Sequence, residues 1–270
     1  MNEGSPCIHL TGLQIESNGH PAFRDLNFSV ESGTLAAMVG RNQGNWVILL
    51  RMLAGVRSLP GGQLELWGEP ITAIDRRRLN QLVSFISLNL RPVFHYSVEE
   101  YILQGSETHL KPMQSSGEPE FKKMEEIVSQ LKIEKLVNRD CSMLSDGELQ
   151  LASLARVLME DTMLILLEDP VCYLPKETQT EIMSMLLDLT RQHGKTVLVA
   201  LEDPGLALKL ADQLIIFDDN GIADILFRRQ PTFFESANLV LQRLLMLDPE
   251  GHLLDTPQNG SHPVMSDRLF

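Results

Sequence analysis

The chain has 270 residues, of which 43% are hydrophobic, and a formal net charge of −13 at pH 7. This apolar content is enough for one large or two small domains and excludes a disordered chain. The acidic balance argues against a nucleic-acid binder, whose affinity depends on clustered lysine and arginine. No apolar run approaches the roughly 20 residues of a transmembrane helix. The three cysteines (Cys7, Cys141 and Cys172) are scattered, so we expect buried or idle thiols.

The first forty residues have the pattern of three strands. Apolar and polar residues alternate over 8–15 and 22–30, and a continuous apolar run covers 35–39. Turn-forming residues separate these runs, with Asn18-Gly19 before the second and Ser32-Gly33 before the third. The run that follows, 47–54, has helical composition.

Further along the chain, short apolar strands alternate with helical segments. Strands are predicted at 63–67, 82–88, 163–167, 196–201 and 213–217, and helices at 75–81, 121–136, 147–160, 176–192 and 204–211. This alternation predicts an α/β fold with a largely parallel sheet. We interpret the mostly helical stretch of about 95–155 as a subdomain inserted into a domain of residues 1–247. The segment 248–270, rich in Pro, Gly, Ser and His, is expected to be a poorly ordered tail.

The junction after the 35–39 strand has the strand–loop–helix context of a phosphate-binding loop. Such a loop needs a glycine, a lysine that reaches the outer phosphates and a Ser or Thr hydroxyl that holds Mg²⁺. The chain has Asn45, Trp46 and Val47 at these three positions. An indole therefore replaces the cation, and an isopropyl group replaces the magnesium ligand. The loop alone does not predict a nucleotide site.

The segment Leu144-Ser145-Asp146-Gly147-Glu148 resembles the LSGGE/LSGGQ signature of the nucleotide-binding domains of ABC transporters. It lies about a hundred residues after Gly40 and just before an apolar strand that ends in Glu168-Asp169-Pro170, which is similar to the family's Walker B ending Asp-Glu-Pro. Further matches are Gln150, Ala155-Arg156, Leu158, Ala211-Asp212 and Asn220-Gly221. The resemblance covers residues 8 to about 245. It implies a P-loop NTPase-like core with a mainly parallel sheet, N-terminal antiparallel strands and an inserted helical subdomain.

Two further segments resemble one subgroup of importers, which carries iron–siderophore, haem or cobalamin. They are Phe94 to Glu100, followed by Gly105 and His109-Leu110, and Asp203 to Asp212. The resemblance implies ATP and Mg²⁺ as cofactors, a second ABC ATPase subunit as partner, and attachment to the inner face of the cell membrane through a permease. We expect no nucleic-acid partner.

Several positions depart from the family's pattern. Glu168 stands at the position of the Asp that organises Mg²⁺, and Asp169 at that of the Glu that polarises the attacking water. Glu202 aligns with the switch histidine, Leu88 with the Q-loop glutamine and Pro175 with the D-loop aspartate. The degenerate nucleotide-binding loop comprises Gly40, Arg41, Gly44, Asn45, Trp46 and Val47.

The charge balance of this pocket is unfavourable for ATP. ATP brings about four negative charges, and phosphoryl transfer depends on positioning and electrostatics. The chain offers Glu168, Asp169 and Glu202 but lacks the lysine, and like charges in a partly desolvated pocket cost several kcal/mol. Arg41 is the nearby cation, and an exposed position is expected for it. We therefore predict that the chain's own Walker face hydrolyses nothing.

The signature is mostly retained. In the family, two domains dimerise head to tail, and each signature completes the partner's site. The resemblance implies that Ser145 and Gly147, with Glu148, serve a partner's nucleotide through a hydroxyl and a backbone N–H at a helix N-terminus. Asp146 in place of a glycine adds a carboxylate there. Four residues are predicted to couple to the permease: Leu88, Asn89, Phe94 and Tyr96.

Each motif also has a purely structural interpretation. Trp46 could be a core side chain that fills the space of a phosphate. Glu168-Asp169-Pro170 and Glu202-Asp203-Pro204 could each be the cap and start of a helix. Ser145 could be the plain N-cap of the 147–160 helix. Gly194-Lys195-Thr196 resembles a fragment of a phosphate-binding loop but precedes a strand, so we interpret it as a turn.

Three functions remain open at this stage. The first is a degenerate ABC subunit that pairs with an active ATPase chain on a permease. The second is an active ATPase of a homodimeric importer, in which Asp169 orients water. The third is a scaffold or regulator that uses the fold for protein contacts outside transport.

Overall fold

The computed structural model describes residues 6–17, 20–40, 43–87, 95–108, 117–218 and 222–245. Its strands are β1 Ile8–Ser17, β2 His20–Val30, β3 Leu35–Gly40, β4 Gln63–Leu66, β5 Glu69–Pro70, β6 Val83–Ile86, β7 Leu164–Glu168, β8 Thr196–Ala200, β9 Gln213–Phe217 and β10 Ile222–Phe227. Its α-helices are α1 Gln43–Leu53, α2 Arg76–Leu82, α3 Val98–Leu103, α4 Glu118–Gln130, α5 Asp146–Met159, α6 Lys176–His193, α7 Pro204–Leu210 and α8 Phe233–Leu245.

These strands form two sheets. The first is four-stranded and antiparallel, in the order β2-β1-β4-β5. The second is six-stranded, in the order β10-β9-β3-β8-β7-β6, with all neighbours parallel except β10 and β9. The predicted α/β fold with a mainly parallel sheet and N-terminal antiparallel strands is thus confirmed.

The central strand β3 has apolar residues on both sides, as expected for a parallel strand covered on two faces. Leu35, Ala37 and Val39 face an apolar cluster with helices α3 to α8, and Ala36 and Met38 face a second cluster with the antiparallel sheet and α1. Strand β3 lies between β8 and β9, so its end at Gly40 is at the middle of the sheet.

The helical middle of the chain shares the first of these clusters. Apolar residues of α3, α4 and α5 contact the same buried set as α6, α7 and α8. Helix α5 ends at Met159, beyond the boundary expected near residue 155. The division into a domain of 1–247 with an inserted subdomain stays a prediction, and the tail 248–270 lies outside the described residues.

Two helices, α1 and α4, differ in their boundaries from the sequence expectation. Helix α1 begins at Gln43, inside the predicted loop, and not at Val47. The helix predicted over 121–136 begins at Glu118, ends at Gln130 and is followed by a separate short 3₁₀ turn at Glu134–Leu136. Lys132 has a φ of 57°, a left-handed conformation that an α-helix cannot continue through.

Among the described residues, no helix is both long and apolar enough to cross a membrane. Within the same ranges, no group of three or more His, Cys, Asp or Glu side chains is arranged to hold a metal ion. The thiols of Cys7 and Cys141 are buried, and burial raises their pKa to about 12 and about 11, respectively. The prediction that these thiols are buried is therefore confirmed for these two.

Candidate nucleotide-binding site

The carboxyl ends of three neighbouring parallel strands bring the predicted Walker and switch positions together. Strand β3 ends at Gly40 and β7 at Glu168, and β8 is followed by Leu201 and Glu202. Leu201 N–H donates to the Met38 carbonyl over 3.0 Å. Crevices at the carboxyl edge of an open α/β sheet are where ligands bind in such folds.

Gly40 is required by the close approach of strand β9. Its φ is +125°, and a Cβ at this position would lie 2.1 Å from the Phe217 carbonyl oxygen. Asn45 and Val47 are half-buried in α1, and Gly44 lies in its first turn. Arg41 lies outside the described residues, so the prediction of its exposure stays open.

Trp46 points into the core. Its side chain is 2% exposed and belongs to the cluster beneath the antiparallel sheet. The ring centroids of Trp46 and Phe217 are 6.0 Å apart, and Phe217 in turn lies 5.4 Å from Phe23. The indole Nε1 is buried and has no hydrogen-bond partner among the residues that the structure describes. The interpretation of Trp46 as a core side chain is confirmed.

The described residues of this loop and helix do not fit a nucleotide with Mg²⁺. The side chain at the lysine position is apolar and buried, so it supplies no charge to a phosphate. Val47 has no oxygen to offer a metal ion. Two of the three acids expected at the strand ends are already hydrogen-bonded within the protein. Within Gly40 and 43–47, the described part of the loop and helix start, no side chain is cationic, so an anion of about four charges would meet carboxylates here.

The carboxylate of Glu168 is held by a residue that the sequence did not single out. Ser87 Oγ donates to Glu168 Oε2 over 2.6 Å, and Ser87 is 6% exposed. Ile86 pairs with Leu167 in the parallel ladder, so the next residue of each strand, Ser87 and Glu168, also lie side by side. The proposed weak metal role of Glu168 therefore competes with an internal hydrogen bond.

Asp169 is a buried acid in a strained backbone conformation. It is 6% exposed and has a φ of +30°. Burial raises its pKa to about 6. The N–H groups of Glu202 and Val171 act in the opposite direction, and the Glu202 carboxylate adds to the increase. Glu202 N–H donates to Asp169 Oδ2 over 3.1 Å, so these two predicted positions are in direct contact.

The structural interpretation of the two acidic tripeptides has opposite outcomes. Glu168-Asp169-Pro170 does not start a helix, because it enters a turn and the next helix begins only at Lys176. That interpretation was wrong. Asp203 is the N-cap of α7, with Pro204 at the first helical position, and its Oδ1 accepts from the N–H groups of Gly205 and Leu206. Here the interpretation is confirmed, and Glu202 itself is exposed.

The signature segment forms the start of helix α5. Ser145 and Glu148 make a complete capping box: Ser145 Oγ accepts from Glu148 N–H over 3.3 Å, and Ser145 N–H donates to Glu148 Oε2 over 2.8 Å. Arg139 pairs with Glu148 over 2.6 Å. Ser145 is thus an N-cap, and its service to a partner's nucleotide stays a prediction.

Gln150 links the signature helix to the turn after β7, a role that sequence reasoning did not find. Its Nε2 donates to the Asp169 carbonyl over 2.8 Å, and its Oε1 accepts from Tyr173 N–H over 3.3 Å. A Cβ on Gly147 would lie 2.9 Å from the Tyr173 carbonyl. The signal available in the sequence was a polar amide between the apolar residues Leu149 and Leu151.

The predicted permease-coupling residues are mostly beyond what the structure describes. Leu88, Asn89 and Phe94 lie outside the described residues. Tyr96 is half-buried and packs on the first apolar cluster, and its carbonyl accepts from Cys141 N–H over 2.9 Å. The fragment Gly194-Lys195-Thr196 is the turn predicted for it, because Gly194 caps α6 in a left-handed conformation.

Comparison with known proteins identifies relatives of one kind. The sequence model of the family described as "ABC transporter" matches residues 23–172. The hemin import ATP-binding protein HmuV of Burkholderia ambifaria is 29% identical over 230 residues, which cover 78% of this chain and 84% of the relative. The molybdate import ATP-binding protein MolC of Haemophilus influenzae is 25% identical, with 73% of this chain and 72% of the relative covered. A structure of a putative metal-chelate type ABC transporter superposes with a TM-score of 0.72 at 22% identity, over 90% of each chain.

Proposed function

This chain belongs to the ABC transporter family, as an ATP-binding subunit of importer type, and on that premise we propose that it is the catalytically inactive half of a heterodimer. An active partner chain would supply the lysine and the catalytic acid that this chain lacks. Both chains would be held at the inner face of the membrane by a permease. The burial of Trp46 and the carboxylates of Glu168, Asp169 and Glu202 disfavour active hydrolysis by a homodimer.

The burial of Trp46 carries this proposal. The position that needs a flexible cation is filled by an indole that is 2% exposed and in contact with Phe217. Replacing that indole with a phosphate contact would require the helix to repack. Phosphoryl transfer has little for the protein to do beyond positioning and charge stabilisation, so a site without its cation loses most of its catalytic power.

The acids of the site support the same conclusion. In the ionised state Asp169 is a buried carboxylate next to that of Glu202, and Glu168 is hydrogen-bonded to Ser87. These carboxylates repel an anion. Binding of ATP at this face would be weak, and hydrolysis there would be absent.

The intact start of α5 supports a role toward a partner. Ser145 and Gly147 lie at the N-terminus of a 14-residue helix, where backbone N–H groups favour an anion. Ser145 Oγ also donates to Glu148 Oε2 over 2.8 Å, so a partner's phosphate would have to replace that carboxylate. Asp146 is exposed beside it and would weaken the contact without removing it.

The names of the relatives support a proposal for the cargo. HmuV is named for hemin import, and we propose a metal chelate or related cofactor as the transported compound. The relationship to a molybdate importer means that the cargo has to be tested directly. Coupling to the permease would use the segment that includes Tyr96.

Isolation of the complex tests the proposal. The tagged chain should co-purify from native membranes with a permease and a second, motif-complete ABC chain. In that complex, Asp169→Asn in this chain should leave the ATPase rate unchanged. Recovery of this chain alone, or of a homodimer whose ATPase activity is lost with Asp169→Asn, would contradict it.

A further inference from the structure

A second cleft lies at the opposite edge of the parallel sheet, by the amino-terminal ends of β3 and β9. Its volume is about 450 Å³. Three arginines, Arg191, Arg228 and Arg229, line it together with the carboxylates of Glu31 and Asp212. In a chain of net charge −13, such a concentration of guanidinium groups needs an explanation.

One of these arginines is fully neutralised. Arg229 makes a two-pronged pair with Glu31, with both N–O distances at 2.7 Å, and its guanidinium lies 4.9 Å from the ring centroid of Phe227. A fork-to-fork pair of this kind satisfies both groups. Arg229 and Glu31 therefore form one wall of the cleft and contribute no net charge to it.

Asp212 is only a partial partner for the other two. Its Oδ2 accepts from Leu35 N–H over 3.1 Å, and its Oδ1 lies 4.0 Å from Arg191 Nη2, at the limit of an ion pair. Among the described residues, Arg191 has this one carboxylate at 4.0 Å, shared with a backbone donor, so its charge is only partly offset.

Arg228 has no carboxylate partner within 4.0 Å among the described residues. Its Nε donates to the Ala211 carbonyl over 2.7 Å and its Nη2 to the Leu208 carbonyl over 2.5 Å. Its guanidinium lies 5.0 and 5.3 Å from the ring centroids of Phe233 and Phe234. Two of its functions are therefore to cap α7 and to stack on α8. Neither function uses Nη1.

The guanidinium groups of Arg191 and Arg228 also affect each other. Burial lowers the pKa of Arg228, and the charge of Arg191 lowers it further, while Asp212 opposes both. Arg191 and Arg228 share one carboxylate, that of Asp212, which also accepts a backbone hydrogen bond. An anion bound between the two guanidinium groups would therefore reduce their mutual repulsion.

We propose that this cleft binds a small oxyanion, the phosphate or carboxylate group of a small molecule, between Arg191 and Arg228. The volume admits a ligand larger than the anion itself. The site is at the edge of the sheet away from Gly40, so it is independent of the Walker positions and of the proposed inactivity. A ligand there would bridge α6, β9 and the segment after β10.

Calorimetry of the full chain with inorganic phosphate, and separately with succinate, at constant ionic strength tests this proposal. We expect saturable binding at millimolar concentration, and the tighter probe identifies the group. Arg191→Gln should weaken it by about tenfold or more, because a charge-assisted hydrogen bond contributes at least that factor. Arg191 makes only one long contact with Asp212, so this variant should fold.

The matched control is Arg77→Gln, which removes an exposed arginine from α2, outside the cleft. It should leave binding unchanged. The proposal is overturned if neither probe binds saturably. It is also overturned if Arg191→Gln has no effect, or if both variants weaken binding equally, since the attraction would then be diffuse. Arg228→Lys is a second variant, which keeps the charge but loses the fork and should also weaken binding.

Discussion

Single residues decide the chemistry of this site. From the sequence pattern we expect Trp46 at the position of the family's phosphate-binding lysine, and its ring is 2% exposed and packs near Phe217. We likewise expect Asp169 at the position of the catalytic acid, and it is buried with its Oδ2 accepting from Glu202 N–H. Both side chains are used by the folded state itself. Their contributions to stability are therefore measurable without any nucleotide.

Truncation of Trp46 should be costly. We expect Trp46→Ala to lower the free energy of unfolding by about 3 to 5 kcal/mol, because it leaves a cavity under the antiparallel sheet. Urea denaturation followed by circular dichroism measures this. The control is Phe121→Ala, an aromatic that is 39% exposed, which should cost about 0.5 kcal/mol. Equal effects of the two variants would mean that Trp46 does not fill the core.

Neutralisation of Asp169 should stabilise the protein at neutral pH. Its pKa of about 6 lies above the ordinary 3.8, so the protonated acid contributes stability that is fully present below pH 3.8 and is lost as the pH rises through about 6. At pH 7.5, Asp169→Asn should therefore be more stable than the parent by about 1 to 3 kcal/mol. At pH 4 the difference should be small.

Urea midpoints of the two proteins at both pH values provide the test of this pH dependence. Asp188→Asn, which changes an exposed carboxylate on α6, is the matched control and should show no such dependence. An Asp169→Asn protein that is less stable than the parent at pH 7.5 would show that the ionised acid is favourable.

The sequence predicted which positions depart from the family but not what the departing side chains do instead. The positions of Glu168 and Asp169 at the end of an apolar strand, after the signature segment, could be predicted from the sequence alone. The bond from Ser87 to Glu168 depends on β6 lying next to β7, and the burial of Asp169 depends on the turn after β7. Neither is encoded in a local pattern, because both partners are far apart in the chain.

At the level of elements, two helices begin with the same capping box. Ser97 with Glu100 starts α3, and Ser145 with Glu148 starts α5. Local sequence can encode both starts, since the cap residues are three positions apart, and it offered the N-cap interpretation of Ser145. It was not enough for the end of α4, which depends on the left-handed Lys132.

Substitutions in the two capping boxes distinguish a serine that only caps a helix from one that also contacts a partner's nucleotide. Ser97→Ala and Ser145→Ala should each cost about 1 kcal/mol of stability, because each removes one N-cap. In the purified transporter complex, only Ser145→Ala should lower the ATPase rate. Equal rates for both variants would mean that Ser145 is a cap and nothing more.

Alanine substitutions at two glycines of positive φ distinguish the cost of backbone strain from the cost of a steric clash. Gly40 has a φ of +125°, and its Cβ would meet the Phe217 carbonyl at 2.1 Å, whereas Gly194 has a φ of +64° and nothing within 4 Å. We expect Gly194→Ala to cost about 1 kcal/mol. Gly40→Ala should cost several times more, because β9 has to move. Thermal or urea unfolding of both variants measures the difference, and similar losses would contradict the close approach of β3 and β9.

At the scale of the molecule, the parallel sheet has two chemically different edges. The carboxyl edge has Glu168, Asp169 and Glu202 and no lysine in the family's position. The amino edge has the cleft lined by Arg191, Arg228 and Arg229, here called the arginine cleft. The sheet type followed from the alternating pattern and the resemblance, whereas the strand order comes from the structure. The cleft could not be predicted, because it assembles residues from four separate segments.

The most direct test of the central claim is calorimetric titration of the purified chain with ATP, with and without Mg²⁺, up to millimolar nucleotide. The same titration on Arg191→Gln distinguishes ATP bound at the Walker face from ATP that is held by its phosphates in the arginine cleft. We expect no saturable binding at the Walker face, and therefore none in Arg191→Gln up to millimolar ATP, because the arginine cleft is weakened in that variant. A micromolar Kd in that variant, about −8 kcal/mol, would mean that the Trp46 loop is a working nucleotide site.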